Sequence, residues 1–232
     1  MPQNLTVELF VPEERLALPA IQMTIAAMLA AGFRFERTRG EGGKYWLIEN
    51  LEWRQATSID ETWIHYGRSG DWGIELWKPS MAGELRHVIV EVIQAPEGMQ
   101  ETLGKISLST MLKSPEDDNT LFPEFLAWVV FLAGLTNPWY GWGGNNIGLQ
   151  GTVPIDVREV TAIKPQIIEW LNIYGTPYVE RIGLQRLTTA PAWRIDTLVD
   201  GSVMLVLTED QYHASTEAAH AVERHLEASV SD

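Results

Sequence analysis

Residues 137–146 read Asn-Pro-Trp-Tyr-Gly-Trp-Gly-Gly-Asn-Asn, and they closely follow a largely apolar segment at residues 121–135. Three large aromatic side chains stand here among three glycines, and glycine permits backbone angles that are closed to other residues. This composition predicts an irregular loop. Large aromatic side chains such as Trp139 and Trp142 are costly to expose unless they pack or bind. We therefore expect a loop, anchored by the apolar segment, that presents a recognition surface.

The same residues resemble a nucleotide-binding motif only superficially. Residues 141–146 approach the dinucleotide fingerprint Gly-x-Gly-x-x-Gly, but Asn146 occupies the position of the third glycine. The fingerprint also needs a strand before it, whereas an apolar helix is predicted there. No Gly-x-x-x-x-Gly-Lys phosphate loop occurs in the sequence. The chain is therefore predicted to use no nucleotide and no other cofactor.

Around this segment, the second half of the chain is predicted to contain mainly helices and one hairpin. Residues 123–135 are apolar all round, which predicts a helix inside the domain. Asp200-Gly201, between two apolar runs, is the strongest hairpin signal in the sequence. The elements predicted in this half are helices at 123–135, 164–173 and 177–187, strands at 193–199 and 202–208, and a helix at 212–228.

The first half of the chain is predicted to be richer in strands. Alternation predicts a strand at 6–11, and apolar spacing predicts a helix at 18–31 that Gly32 ends. Strands at 33–37 and 44–49 flank a glycine-rich turn, which predicts a hairpin and a β-α-β-β opening. The other elements predicted here are a helix at 58–66 and strands at 73–77, 87–93 and 103–110.

These elements predict an α+β protein with a mixed or largely antiparallel sheet and helices packed on one face. With 232 residues, the chain forms a single domain or two intimately packed subdomains. Residues 1–112 would form an N-terminal α+β subdomain. Residues 113–232 would form a helix-rich subdomain with the hairpin at 193–208.

The charge and the cysteine content exclude several classes of function. Seventeen Lys and Arg residues against 31 Asp and Glu residues give a net charge of -14, which repels nucleic acids and anionic lipids. Solubility alone is the favoured interpretation of this charge, and attraction of a basic partner is the alternative. The absence of cysteine excludes disulfides, thiolate chemistry and Cys-ligated metal centres. The apolar run at 16–31 lacks the basic flank of a signal sequence, and the run at 121–135 is shorter than the about 20 residues of a membrane span. We expect a cytoplasmic protein.

No set of residues carries a catalytic or metal-binding signature. His213, Glu217 and His220 share one face of the last predicted helix, but Arg224 continues that face, which favours a solvated surface over a metal site. Ser69 lies outside any nucleophile motif. A packed or capping role is favoured for His65. We therefore assign no catalytic residue and no metal ligand, and enzymatic activity is the less favoured interpretation.

Residues 66–72, Tyr-Gly-Arg-Ser-Gly-Asp-Trp, form a second segment rich in glycine and aromatic residues. Two such loops could form one surface, since aromatic residues dominate protein-binding hot spots. We predict a partner-binding surface made of Arg68, Asp71, Trp72, Trp139, Tyr140, Trp142, Asn145 and Asn146. One alternative is a carbohydrate or small-ligand binding protein, or a hydrolase, whose tryptophans stack on the ligand. Another is a structural subunit that buries the aromatic loop in a homodimer contact.

The last third of the chain resembles a known family. The residues are Tyr178-Val-Glu-Arg-Ile-Gly183, Arg186-Leu187, Ala190-Pro191 and the hairpin ending in Leu198-Val-Asp-Gly-Ser-Val-Met-Leu-Val-Leu207. This pattern of helix, Ala-Pro break and Asp-Gly hairpin is similar to the C-terminal part of bacterial polymorphic-toxin immunity proteins of the Imm52-like kind. The resemblance implies a cytoplasmic, non-enzymatic protein that binds and neutralises a cognate toxin. A basic nuclease would suit the acidic surface, whose carboxylates mimic phosphates.

Overall fold

The structure is a computed structural model that describes residues 3–12, 15, 18–35, 45–49, 52–56, 73–80, 83–93, 104–112, 118–145, 168–209 and 216–227. The helix predicted at 58–66 lies outside these residues. The described strands are β1 Gln3–Val11, β2 Arg34–Phe35, β3 Tyr45–Glu49, β4 Glu52–Ala56, β5 Gly73–Ser80, β6 Gly83–Ile93, β7 Gly104–Leu112, β8 Tyr140–Asn145, β9 Leu171–Tyr174, β10 Arg194–Thr197 and β11 Val203–Val206. The described helices are α1 Leu18–Ala30, α2 Asp118–Thr136, α3 Thr176–Ile182, α4 Leu184–Thr188 and α5 Thr216–Glu227.

Nine of these strands form one sheet in the order β10-β11-β9-β8-β1-β7-β6-β5-β2, and β3 and β4 form a separate two-stranded sheet. Every described pair of neighbouring strands is antiparallel. Together with the helices, this sheet confirms the predicted α+β class. The strands predicted at 6–11, 73–77, 87–93 and 103–110 and the helices predicted at 18–31 and 123–135 are present, with shifted ends.

Strand β1 lies in the interior of the sheet, with β7 on one side and β8 on the other. Leu5, Val7, Leu9 and Val11 alternate along it, so they point to one face, and all four are fully buried. Phe10 points to the opposite face and is buried as well. Since β8 belongs to the second half of the chain, the sheet runs across the predicted subdomain boundary. The division into two subdomains stays a prediction.

The first face of the sheet is covered by α1 and α2. Ile25 and Met28 of α1 and Phe125 and Val129 of α2 share one apolar core with the four alternating side chains of β1. Burial of each large apolar side chain contributes roughly 1.5 to 3 kcal/mol relative to exposure. This core holds β1 in place from one side.

Helix α2 is less enclosed than its apolar sequence predicts. Leu121, Phe125 and Leu132 are buried against the sheet, but Pro123 and Gly134 are exposed. Among residues 121–136 of this helix, the exposed positions are Pro123, Ala127 and Gly134, none of which is charged. No helix in the described part of the chain combines the length and the apolar character that crossing a bilayer requires.

The opposite face of the sheet carries a second apolar core near β8, β9 and β11. Val203 and Leu205 of β11 pack there with Ile182 of α3 and with Val222 and Leu226 of α5. The sequence predicted helices on one face, and this second helical layer extends that arrangement. Helices therefore flank both faces at this end of the sheet.

Three tyrosines lie in the second core. Tyr140, Tyr174 and Tyr178 have ring centroids 5.4 to 6.0 Å apart, and each is at most 5% exposed. Burial raises the pKa of all three phenols above the usual value, and neighbouring tyrosines raise the pKa of Tyr140 and Tyr174 further. Arg181 opposes the rise in the pKa of Tyr178. The three hydroxyls therefore stay protonated at neutral pH.

The segment at 137–146 was predicted to be a loop, and for most of its length this prediction is wrong. Residues Tyr140–Asn145 form β8, which pairs with β1 and with β9. A Cβ on Gly143 would lie 2.5 Å from Cγ2 of Val7, and one on Gly141 would lie 3.0 Å from Cδ2 of Leu9. The glycines are thus required because β1 side chains cross directly over them, and the residues between them keep regular strand geometry.

The helix predicted at 164–173 is also wrong where the structure describes it, because Leu171–Tyr174 form β9. All four residues of β9 are buried, so the strand has no solvent-exposed face of the kind that marks a half-buried strand in a sequence. The predicted hairpin of 33–37 with 44–49 is wrong in its pairing. Strand β2 pairs with β5, and β3 pairs with β4 across a connection of only two residues, 50 and 51.

The Asp-Gly hairpin is confirmed. Strands β10 and β11 are antiparallel, and Gly201 has a φ of 86° at the turn. The Gly201 N–H donates to the Leu198 carbonyl at 3.0 Å, and the Leu198 N–H donates to the Ser202 carbonyl at 2.8 Å. The Asp200 carboxylate accepts the backbone N–H and the hydroxyl of Ser202. The final predicted helix is present as α5.

Replacing Gly143 with alanine should destabilise the protein by about 1 to 3 kcal/mol, because the new Cβ has no room beside Val7. Urea denaturation followed by circular dichroism would measure this. Gly134→Ala is the matched control, since a Cβ there meets nothing within 4 Å and alanine favours the helix by roughly 0.5 to 1 kcal/mol. Equal stability of the Gly143 and Gly134 variants would contradict the packing of β8 under β1.

The buried tyrosines should make the fold unstable at alkaline pH. Their folded-state pKa values are raised, so the unfolded chain loses these protons first. Stability should be complete below about pH 10 and should fall above it, by up to about 4 kcal/mol per pH unit for three phenols. Absorbance near 295 nm should show three of the six tyrosines ionising only together with unfolding.

Tyr174→Phe is the control for this titration. The Tyr174 hydroxyl is buried and has no hydrogen-bond partner among the described residues, so its removal should cost little stability at neutral pH. The unfolding free energy of this variant should fall less steeply with pH above about pH 10, because one fewer proton is released on unfolding. Normal titration of all six tyrosines in the folded wild-type protein would show that the cluster is open to solvent.

Candidate partner-binding surface

The predicted surface falls only partly within the described residues. Arg68, Asp71, Trp72 and Asn146 lie outside them, so the proposed joining of the two aromatic segments stays a prediction. The backbone of Asn145 is described as the last residue of β8, opposite Leu5 of β1. The residues whose side chains are described are Trp139, Tyr140 and Trp142.

Trp139 and Trp142 are both half-buried, and the main chain holds Trp139 from two sides. The Trp139 N–H donates to the Phe10 carbonyl at 2.9 Å, and the Trp139 carbonyl accepts the Gly175 N–H at 3.0 Å. A Cβ on Gly175 would lie 1.9 Å from the Pro138 carbonyl oxygen, so only glycine allows this approach. The start of the aromatic segment is therefore rigidly placed.

The indole of Trp142 is held by a buried carboxylate. Its Nε1–H donates to Oε2 of Glu8 at 3.0 Å, and Glu8, directly opposite in β1, is only 6% exposed. A hydrogen bond to a charged group contributes about 1.5 to 3 kcal/mol. This bond fixes the orientation of the ring on the sheet, so Trp142 presents a partly exposed aromatic face that does not need to be ordered on binding.

Two aromatic rings also pack against the Trp142 ring. The Phe10 ring packs edge-on against Trp142 with centroids 5.6 Å apart, and the Tyr140 ring does so at 6.2 Å. Edge-to-face pairs of this kind contribute roughly 0.5 to 1.5 kcal/mol beyond the burial of their surface. Tyr140 is only 5% exposed, so it supports Trp142 by packing against it and offers almost no surface to a partner.

Hydrogen bonds made by Asn172 hold strand β9 beside Tyr140 and Trp142. The Tyr140 hydroxyl donates to Oδ1 of Asn172 at 3.4 Å, and Asn172 is fully buried. Asn172 also accepts the backbone N–H of Glu169 at 3.1 Å and donates to its carbonyl at 2.7 Å. Burial raises the pKa of the Glu169 carboxyl. These bonds connect β9 to β8 next to Trp142, which is paired with Asn172 across the two strands.

On the same face of the sheet, polar residues of β1 and β7 lie on the other side of Trp142 from Phe10. Glu8 stands opposite Ser107 of β7, and Thr6 lies two residues earlier on the same face. Thr6, Glu8 and Ser107 are each at most 7% exposed. Trp142 therefore stands at the border between a buried aromatic region and a buried polar region. Burial keeps the nearby tyrosines protonated at neutral pH, so their hydroxyls are neutral hydrogen-bonding groups.

The described residues give no support to a metal site. Glu217 and His220 are exposed on the outer face of α5, and His213 lies outside the described residues, as do His65 and Ser69. Within the described ranges, no group of three or more His, Cys, Asp or Glu side chains is placed to hold a metal ion.

Glu8 is the residue that the sequence analysis missed. It stands between Val7 and Leu9 in a strand with apolar residues on both faces. A carboxylate in such a strand needs a hydrogen-bond donor if both faces are buried. That requirement, combined with the indole N–H groups available in residues 137–146, is the signal that could have identified the pair.

No family model matches the sequence, and no curated protein matches it at a significant level. Several chains of solved structures are similar in backbone arrangement, and two of them are as follows. One is a T6SS protein of Pseudomonas aeruginosa, with 10% sequence identity and a TM-score of 0.47 over 98% of this chain and 73% of that chain. The other is the toxic C-terminal tip of CdiA from Pseudomonas aeruginosa in complex with its immune protein, with 13% identity and a TM-score of 0.36 over 65% of this chain and 90% of that chain. At these values neither likeness assigns a function to this chain.

Proposed function

We propose that this chain is a protein-binding protein whose contact surface includes Trp139 and Trp142. The observation that carries the proposal is that two half-buried tryptophans pack against the second core, where the indole of Trp142 is hydrogen-bonded to Glu8 and the main chain of Trp139 is hydrogen-bonded to Phe10 and Gly175. Tryptophan is enriched among the residues that dominate binding energy. A side chain that is already ordered loses less conformational entropy on binding, which favours affinity.

The proposed partner is a basic protein domain. The chain has a net charge of -14, and such a charge accelerates association with a cationic partner through long-range attraction. The sequence resemblance at residues 178–207 suggests that this partner is a toxin that the chain neutralises. The second aromatic segment, with Arg68, Asp71 and Trp72, is proposed to extend the same surface.

The neutralisation proposal requires a neighbouring gene that encodes a toxin domain, and the absence of such a gene would contradict it. That toxin domain is the partner to use in the binding tests. Co-expression of wild-type protein should restore growth, and calorimetry should show a direct complex. The Trp139→Ala/Trp142→Ala variant should bind about 100 to 1,000 times more weakly, because each lost anchor costs about 2 kcal/mol. Loss of growth rescue should accompany the loss of affinity.

The matched control replaces two exposed apolar side chains elsewhere. Met23 is 70% exposed and Leu184 is 47% exposed, so Met23→Ala/Leu184→Ala removes accessible apolar area without touching the tryptophans. This control should bind like the wild type. Unchanged affinity of the tryptophan variant would place the surface elsewhere. Binding of a sugar in place of the protein domain would favour the carbohydrate alternative.

The anchor between Trp142 and Glu8 can be tested separately by stability. Trp142→Phe keeps the aromatic ring but removes the indole N–H that Glu8 accepts, so we expect a loss of about 1 to 3 kcal/mol in unfolding free energy. Chemical denaturation measures this loss. Trp193→Phe is the control, because Trp193 is 46% exposed and its replacement should change stability by less than about 0.5 kcal/mol.

A double-mutant cycle isolates the hydrogen bond from other effects of each change. Glu8→Leu and Trp142→Phe together should cost less than the sum of the two single changes, with a coupling of about 1 to 3 kcal/mol. Additive losses would mean that the indole and the carboxylate do not interact in solution.

A further inference from the structure

Strand β10 is the last strand at one end of the nine-stranded sheet. It pairs with β11 on its inner side, and among the described residues no strand pairs with its outer side. The side chains of Arg194 and Asp196 are 40% and 32% exposed, so this end of the sheet is accessible to solvent. An open edge of this kind can accept another strand.

The turn shows which backbone groups of β10 face outward. The Leu198 N–H donates to the Ser202 carbonyl, and hydrogen-bonded pairs alternate along an antiparallel ladder. Arg194 and Asp196 therefore direct their backbone groups towards β11, while Ile195 and Thr197 direct theirs away from the sheet. The ladder is irregular only at the start of β10, where the Trp193 N–H donates to the Leu207 carbonyl.

The charges on β10 form a self-complementary pattern. Arg194 and Asp196 lie on the same face, on either side of Ile195, and their side chains pair at 2.6 Å. In an antiparallel pairing of two copies centred on Ile195, Arg194 of each copy would stand opposite Asp196 of the other. These would be non-hydrogen-bonded positions, at which cross-strand side chains are closest, with Cα atoms about 4.5 Å apart.

We propose that β10 is the interface of a two-fold symmetric homodimer in which the sheets of two copies join into one. The two Ile195 residues would exchange a pair of backbone hydrogen bonds, and two Arg194–Asp196 pairs would flank them. A second copy of the chain is preferred over an unrelated strand, because two antiparallel copies of β10 place each arginine opposite an aspartate. The inference does not depend on the proposed partner-binding function.

Exposed apolar residues next to β10 fit the same arrangement. Trp193 is 46% exposed, and in this register it stands opposite Thr197 of the second copy and diagonal to Ile195. Charged side chains on an edge strand usually hinder pairing, but Arg194 and Asp196 have opposite charges, so two antiparallel copies of β10 can neutralise each other's charges. The long-range repulsion between two chains of net charge -14 is screened at about 0.15 M salt, where the Debye length is about 8 Å.

Charge reversal tests the register with sedimentation equilibrium at this ionic strength. The wild-type chain should be a dimer. Arg194→Asp alone and Asp196→Arg alone should each weaken dimerisation at least about tenfold, because every cross-strand pair then brings like charges together. A mixture of the two variants should form a heterodimer, since all opposed pairs are again of opposite charge.

The double variant Arg194→Asp/Asp196→Arg is the matched control, and it should dimerise like the wild type because the pattern is self-complementary again. Thermal unfolding of each variant shows that a monomer is folded. A monomeric wild-type chain at the highest soluble concentration overturns the proposal. So does a wild-type dimer that neither single charge reversal weakens, since its interface would then lie elsewhere.

Discussion

The close contact between β1 and β8 is the constraint on which the rest of the structure depends. Val7 and Leu9 lie so near Gly143 and Gly141 that a Cβ at either glycine would collide with them. This contact places a strand of the second half of the chain beside a strand of the first half. The four strands β8, β9, β11 and β10 join the rest of the sheet through this contact. The glycines thus determine where the sheet continues.

The same alternation that removes side chains from one face of β8 concentrates them on the other. Tyr140 and Trp142 project towards the second core, where Phe10 and the other tyrosines pack with them. The side chain of Glu8 is on that face of β1, directly opposite Trp142. The pairing of β1 with β8 therefore has two consequences. It requires glycine at 141 and 143 on one face, and it places Trp142 beside Glu8 on the other. A change at either glycine would disturb both.

The sequence predicted the secondary structure correctly where a local pattern of residues is compatible with only one kind of element. The spacing of Ile25 and Met28 predicted α1, and Asp200-Gly201 predicted the β10–β11 hairpin, because helix periodicity and turn chemistry act over a few residues. It failed at β8 and β9, where strands are buried on both faces. Glycine at 141 and 143 was interpreted as a signal for irregular structure, although Tyr140-Gly-Trp142-Gly has the period of a strand. Only the position of β1 across the sheet distinguishes the two meanings, and that position is not a local property.

The proposed surfaces occupy different parts of the sheet, and this separation matters for how they would act together. Trp142 is on β8, and β10 lies three strands away, about 14 Å across the sheet. A strand added outside β10 would extend the sheet away from the tryptophans and leave them uncovered. A dimer joined at β10 would then present two aromatic surfaces held at a fixed spacing by one continuous sheet. Two sites on a rigid frame raise the effective affinity for a partner that offers two matching sites, and they do so without any change at Trp139 or Trp142.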